Sequence, residues 1–351
     1  MFYEDPLWQY MYYIFIFSED TVMNVQHMIF EKIRKKFIQI CVEADSPRLS
    51  SEVYPEEVKI ISDLPYINDG NKDHCCDFYL PDKLHGDDIR SYNDKTLFVD
   101  VHGGGFVYGS KEINKLFGTN LALKTGCPVM NVNYSLVPNI KNGCLALQVR
   151  EVFTAVCYAC DIFGFNKIHI IGDSAGGFTA LCAWGTLVDR DIRHDFNIFA
   201  LPPKTEIKGV TLAYSITRLR DMKPNNHIED AYLPPQSSDR APMYAYDFAD
   251  LITKAKVKPP HIIGITGDRD SLREDVLYLN RFLRENGYAC TLFDEVSYLG
   301  AGLTMDSPEI KNAKKPSDLP ADARIMYHEF ITANPNWPEC DKIFAKMKEL
   351  T

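Results

Sequence analysis

No stretch of this chain approaches the roughly 20 consecutive apolar residues that a membrane-spanning helix needs. Its most apolar short run, Tyr10–Phe17, falls far short, so no integral membrane segment is expected. An excess of basic residues is also missing. With 48 acidic against 38 basic side chains the net charge is −10, which excludes the phosphate-backbone footprint that nucleic-acid binding requires. The one basic cluster, Lys32-Ile33-Arg34-Lys35-Lys36, reads as a solvated helix face. Regular cysteine spacing is absent too: ten cysteines are scattered along 351 residues, so a disulfide framework is not indicated and the thiols are expected to be reduced and mostly buried. Cys157 and Cys160 form a CxxC without the second pair that a zinc site needs. The start, Met1 to Asp5, is acidic where a secretory signal would be basic, and a cytoplasmic setting is expected. There is no internal repeat and no low-complexity tract.

What is present is an ordinary globular balance, 46% hydrophobic and 25% charged, in a chain long enough for one large α/β domain with elaborations or for two modest ones. From Glu4 to about Glu43 the pattern is helical and aromatic: Trp8, Tyr10, Tyr12, Tyr13, Phe15 and Phe17, then Phe30, Ile33 and Phe37 at three-to-four-residue spacing. Residues 1–45 are therefore expected to form a helical cap or lid ahead of an α/β domain at 46–351. Strands are predicted at Val58–Ile61, Cys76–Leu80, Thr96–Val101, Pro128–Val132, Lys167–Ile171, Val210–Tyr214, His261–Ile265 and Thr291–Val296. Helices fall between them at Leu116–Lys124, Ala146–Phe163, Ala175–Val188 and Leu272–Asn286. This alternation predicts a mostly parallel sheet covered on both faces. Ile216–Tyr246, with Pro234-Pro235 and Ser237-Ser238, breaks it and reads as a loop or small helical insertion over the site.

Two glycine-rich segments carry chemistry. Gly172-Asp173-Ser174-Ala175-Gly176 sits where an apolar strand runs into a helix. A serine on such a turn is lifted above the sheet, and its neighbours must be small to avoid clashes. The helix start aims N–H groups and a positive dipole end at a developing oxyanion. A phosphate-binding turn is the bland alternative, but the P-loop lysine and the dinucleotide spacing are both missing. Upstream, His102-Gly103-Gly104-Gly105-Phe106 also follows a strand. Its glycines let the main chain approach a ligand, so N–H groups from Gly103 to Gly105, with that of Ala175, are the candidate oxyanion donors. His102 precedes the serine in the chain and reads as a brace for this loop.

The two motifs, with Asn133-Tyr134-Ser135-Leu136-Val137-Pro138 between them, make the chain resemble the hormone-sensitive-lipase-like branch of the α/β-hydrolases from about Val58 onward. The resemblance implies the α/β-hydrolase fold and carboxylic-ester hydrolysis with neither a metal nor an organic cofactor. In that fold the order is Ser, then an acid, then His. Asp270 in Asp270-Ser271-Leu272 matches the family's acid segment, and Asp268 on the same loop competes with it. Of nine histidines only His328 lies downstream. The family expects its histidine soon after the last strand, yet Tyr298-Leu299-Gly300-Ala301-Gly302-Leu303-Thr304 contains none. Two readings follow. In one, residues 304–326 are an insertion that delays the motif to His328-Glu329-Phe330, and a closing helix starts near Pro338. In the other, Ala321–Ile331 is itself the terminal helix and His328 faces solvent. The first is adopted here. The expected activity is that of a serine esterase acting through Ser174, His328 and Asp270 on a small-molecule ester. An amidase or formamidase on the same parts, and a non-catalytic binding protein without a working base, are the alternatives.

Overall fold

The computed structural model describes residues 19–83, 88–137, 145–222, 228–233, 237, 239–304, 306–312 and 320–351. The aromatic segment Trp8–Phe17, Pro138, Pro234-Pro235 and Ser238 lie outside the described residues. Eight strands form one sheet: β1 Lys59–Pro65, β2 Cys75–Leu80, β3 Leu97–Val101, β4 Val129–Val132, β5 Lys167–Asp173, β6 Glu206–Ala213, β7 His261–Gly267 and β8 Cys290–Glu295. Their order across the sheet is β1-β2-β4-β3-β5-β6-β7-β8. β2 pairs antiparallel with both β1 and β4, and every other neighbouring pair is parallel. The expected mostly parallel sheet is thus present, with its antiparallel edge at the N-terminal end.

The helices are α1 Glu19–Ser51, α2 Lys115–Thr125, α3 Leu145–Phe163, α4 Ala175–Val188, α5 Arg190–Asp195, α6 Ile228–Tyr232, α7 Phe248–Lys254, α8 Arg273–Glu285, α9 Pro308–Lys311, α10 Phe330–Ala333 and α11 Pro338–Glu349. All five residues of β3 are buried, as a central parallel strand covered on both faces must be. α4 is apolar around its whole circumference and buried from Ala175 to Leu187, the signature of a helix inside the core rather than on its surface. On one face of the sheet α3 and α4 pack Val149, Val152, Phe178 and Trp184 against Val99, Ile170 and Leu212. On the other, Phe117 of α2 meets Phe344, Ile343 and Met347 of α11.

Element ends differ from the expectation by a few residues where local chemistry hides the pattern. β6 begins at Glu206 because its first turn of chain carries Glu206 and Lys208, an ion pair at 3.2 Å that breaks the apolar run while the backbone still pairs with Lys167. α1 continues past Glu43 to Ser51, through Pro47. Arg48 holds this last portion by binding Asp45 at 2.8 Å, Glu52 at 2.6 Å and the Ile113 carbonyl at 3.2 Å. Between Ile216 and Tyr246 the described residues hold short 3-10 turns and α6, whose Tyr232 hydroxyl donates to Glu31 of α1 at 3.0 Å.

One ion cluster, with Lys111 and Asp77 buried at its centre, ties the edge of the sheet to the loop after β3. Lys111 Nζ lies 2.9 Å from Asp77, a residue of β2 with no exposed surface, and reaches Asp63 at 3.0 Å and Glu112 at 2.6 Å. Removing the cation strands Asp77 without a counter-charge. Lys111→Met is therefore expected to lose about 3–5 kcal/mol of stability, read as a lower urea midpoint at unchanged m.

Candidate active site

Ser174 ends β5 and starts α4 with φ 52° and ψ −121°, a conformation that costs an L-residue energy and persists only where surrounding contacts fix it. Those contacts are on both sides of it: Ser174 N–H donates to the Ala213 carbonyl at 2.9 Å, and the Ser174 carbonyl accepts from Ile216 N–H at 3.1 Å. The glycines around it are sterically required. A Cβ on Gly176 would lie 2.1 Å from the Val101 carbonyl oxygen, so the helix can start this close to β3 only without a side chain there.

The loop after β3 curls beside the serine. Gly104 has φ 108°, and a Cβ there would sit 2.0 Å from the Tyr108 carbonyl oxygen. A Cβ on Gly103 would lie 2.3 Å from Asp173 Oδ2 and 3.0 Å from Ser174 Cβ, which shows how tightly the loop abuts the elbow. Among the described residues the N–H groups of Gly104, Gly105 and Ala175 have no protein acceptor, whereas the Gly103 N–H favours the Asp173 carboxylate. His102 is fully buried, stacked on Tyr134 with ring centroids 4.3 Å apart, and its Nδ1 lies 2.8 Å from the Gly103 carbonyl. Burial lowers its pKa to about 4, so it is a neutral brace, as the sequence suggested. The Tyr134 hydroxyl donates to the His102 carbonyl at 2.5 Å, and Val137 N–H to that of Phe106 at 2.8 Å.

His328 Nε2 lies 3.0 Å from Ser174 Oγ, and its Nδ1 lies 2.8 Å from Asp270 Oδ1. With Nδ1–H donated to the carboxylate, Nε2 is left as the acceptor for the serine hydroxyl. Asp270 is held in turn by the Thr266 hydroxyl at 2.6 Å and the Leu272 N–H at 2.9 Å. A hydroxyl facing an imidazole nitrogen that a carboxylate orients can lose its proton as it attacks an electrophilic carbon. Asp268 is not part of this array: its Oδ1 accepts from Ser297 N–H at 3.1 Å and the Ser297 hydroxyl at 2.5 Å.

The late position of His328 has a simple geometric cause. Tyr298 and Arg324 pair backbone to backbone, N–H to carbonyl in both directions at 2.9 and 2.7 Å, and Arg269 N–H donates to the Met326 carbonyl at 3.1 Å. Tyr298 and Arg324 are thereby held side by side, and from Arg324 the chain continues beside the ends of β7 and β8 to His328. Ala321–Ile331 is not a continuous helix; only α10 follows, starting at Phe330. The closing helix starts with Pro338 in its first turn.

Three neighbours carry no sequence motif. The Tyr214 ring, in a residue at φ 38°, lies 4.8 Å from the His328 ring, and its hydroxyl pairs with Thr332 Oγ1 at 2.6 Å. Glu329, next to the base, adopts φ 74°, a conformation that favours glycine; among the described residues its half-buried carboxylate has no hydrogen-bond partner. From α1, the Phe37 ring comes within 3.0 Å of where a Cβ on Gly105 would be. Burial works to lower the His328 pKa, but the hydrogen bond and charge of Asp270, with the charges of Glu329 and Asp173, outweigh it and raise the pKa above the ordinary value. No cluster of three or more His, Cys, Asp or Glu side chains suited to a metal occurs among the described residues, and none of their helices is long and apolar enough to cross a membrane.

Comparison with known proteins identifies the fold. A family model described as the alpha/beta hydrolase fold matches residues 98–297, more than half of the chain. Hormone-sensitive lipase of Mus musculus is 29% identical over 132 residues, covering 36% of this chain and 17% of the lipase. An acetyl esterase of Salmonella paratyphi B is 28% identical over 209 residues, covering 56% of this chain and 61% of that enzyme. The matches thus span less than two thirds of either relative. Among solved structures, esterase B from Lactobacillus rhamnosis superposes with a TM-score of 0.72 at 18% identity, covering 92% of this chain and 94% of that one. A Pyrobaculum calidifontis esterase gives 0.55 at 18%, covering 94% and 96%. At that identity the likeness is one of fold.

Glu329 yields a prediction with a definite sign. Burial, before all else, raises its carboxyl pKa, so its ionisation costs the folded state increasingly as pH rises through the ordinary carboxylate range. Glu329→Gly removes that cost and the positive-φ strain together. We expect a gain of about 1 kcal/mol at neutral pH that shrinks toward about pH 4, followed by thermal unfolding. Loss of the neighbouring negative charge should also move the His328 imidazole titration to lower pH in an NMR experiment.

Proposed function

Because the chain belongs to the α/β-hydrolase fold family, we propose that it is a serine carboxylic-ester hydrolase in which Ser174 is the nucleophile, His328 the general base and Asp270 the acid that orients it. The hydrogen-bonded sequence Ser174 Oγ, His328 Nε2, His328 Nδ1, Asp270 Oδ1, at 3.0 and 2.8 Å, carries this reading. His328 takes the hydroxyl proton as Oγ bonds to the ester carbonyl carbon. The oxygen that becomes negative is met by the N–H groups of Gly104, Gly105 and Ala175; that of Gly103, turned toward Asp173, is the least available of the four. The imidazolium then returns its proton to the departing alkoxide as the carbon–oxygen bond breaks. A water molecule deprotonated by His328 releases the acid and restores Ser174. No step requires a metal or organic cofactor.

Of the expected cap at 1–45, the described part is α1, which runs from Glu19 on to Ser51, with α6 of the 216–246 insertion beside it. The Phe37 ring of α1 lies against Gly105, so the cap reaches the loop that would meet the substrate carbonyl, and a relative named acetyl esterase supports short acyl groups. The described cysteines are all unpaired, which suits a reducing, cytoplasmic setting. The binding-protein alternative rested on an absent base, and the imidazole within hydrogen-bond reach of Ser174 argues against it.

A p-nitrophenyl ester series and an N-formyl panel, with a fluorophosphonate label, test the proposal. Short-chain esters should turn over fastest. Ser174→Ala should abolish both turnover and labelling, His328→Ala should lower kcat on the order of 10⁶-fold and Asp270→Asn on the order of 10⁴-fold, while Asp268→Asn stays near wild type. Hydrolysis or labelling that survives Ser174→Ala would refute it, and turnover confined to the N-formyl panel would transfer the assignment to an amidase.

A further inference from the structure

Behind the serine elbow lie two carboxyl groups that the proposed chemistry leaves idle. Asp100, the fourth of the five residues of β3, has no exposed surface, and Asp173, the residue before the nucleophile, is 2% exposed. A single amide stands between them: Asn114 Nδ2 donates to Asp173 Oδ1 at 2.7 Å and to Asp100 Oδ1 at 3.2 Å. Asp100 Oδ2 is buried without a hydrogen-bond partner, and among the described residues neither carboxyl has an ion-pair partner. The ammonium of Lys111 is engaged elsewhere, by Asp63, Asp77 and Glu112. Two adjacent buried carboxylates cannot both ionise without a cation, because desolvation and mutual repulsion act in the same direction.

We infer that Asp100 and Asp173 together hold at least one proton at neutral pH, and that Asn114, forked between them, is a positioning residue that locks the oxyanion loop to the serine elbow. The geometry of the second half is direct. Asp173 Oδ2 lies against Gly103, whose N–H favours it, while Oδ1 is held by Asn114 at the start of α2. The peptide that follows Asp173 is the strained one of Ser174. The amide thus joins β3, the loop before α2 and the elbow, the three pieces whose spacing sets where Gly104, Gly105 and Ala175 present their N–H groups.

The groups facing the pair supply no compensating charge from β3, β2 or the loop after β4: His102 is held neutral, and Tyr79 and Tyr134 are buried phenols. Across the elbow Tyr214 is also a neutral phenol, Glu329 adds negative charge, and only His328 can carry a positive one. Burial is the largest influence on both acids, raising Asp173 to about 7 and Asp100 well beyond the carboxylate range. A carboxyl whose pKa is higher in the folded than in the unfolded chain makes stability fall as pH rises, from about 4 upward to the folded value.

Two variants test the inference. Asp100→Asn copies a protonated carboxyl in shape and charge, so it should lose a protonated-carboxyl stretch from the infrared difference spectrum. Its Tm should match wild type near pH 4 and exceed it increasingly toward pH 8, the window set by the raised values. Absence of that band in the wild type, or a Tm deficit of equal size at every pH, would overturn the shared proton. Asn114→Ala should lower kcat on the order of tenfold with KM changed less than about twofold, since oxyanion donors act on the transition state. A rise in KM at unchanged kcat would overturn the positioning role, and Asn114→Ser, which keeps a donor, should recover part of the loss. The positioning role rests on the esterase reading. If the wild type hydrolyses no ester, that reading fails, and the infrared and Tm measurements still decide the protonation of the pair.

Discussion

Where β3 ends, the carbonyl oxygens of Val101 and His102 lie against the first turn of α4 at a separation that admits no side chain on Gly176. This backbone contact fixes the distance between the loop of Gly103 to Gly105 and the serine that opens the helix. The positive φ of Ser174, the curl at Gly104 and the fork of Asn114 each follow from holding two main chains together so closely. Preorganised N–H groups act on a developing charge without reorganising, and this contact is what preorganises them.

The fold and the chemistry were legible in the sequence to different depths. Central strands such as Leu97–Val101 and the all-apolar helix Ala175–Val188 announce themselves because burial on every side leaves no polar alternation to interpret. Ends with mixed polarity do not, which is why β6 starts earlier and α1 runs further than the pattern suggests. The elbow and the glycine loop were readable since their steric demands force residue types at fixed spacing. Asp270 was separable from Asp268 only in three dimensions: both follow β7, and only the backbone turn decides that one faces His328 and the other Ser297. Tyr214, Asn114 and Glu329 left no signal at all. Their roles come from contacts between residues far apart in sequence, and a tyrosine, an asparagine or a glutamate has no restricted spacing to betray it.

Charge inside the molecule is arranged in two contrasting ways. At the sheet edge, Lys111 gathers three carboxylates and neutralises Asp77 where no water reaches it. Around Ser174 the balance runs the other way, with Asp270, Glu329 and Asp173 all acting on the His328 imidazole. That arrangement favours the cation that His328 becomes when it accepts a proton, at the cost of burying acids with no fixed cation beside them. Buried acids without a fixed cation are the kind of local cost that enzyme sites carry in the tension between stability and activity.

The pairing of Tyr298 with Arg324 has an architectural consequence. Because both ends of the intervening segment are clamped, and Arg324 is further anchored by Glu339 at 2.9 Å and by the face of the Tyr298 ring, the location of His328 is decoupled from how much chain lies between them. Loop-closure entropy grows only slowly with length, about 0.6 kcal/mol for each doubling. A long excursion between two clamped points therefore adds little to the cost of holding the imidazole in place, and a histidine far along the chain can serve as well as one close to the last strand.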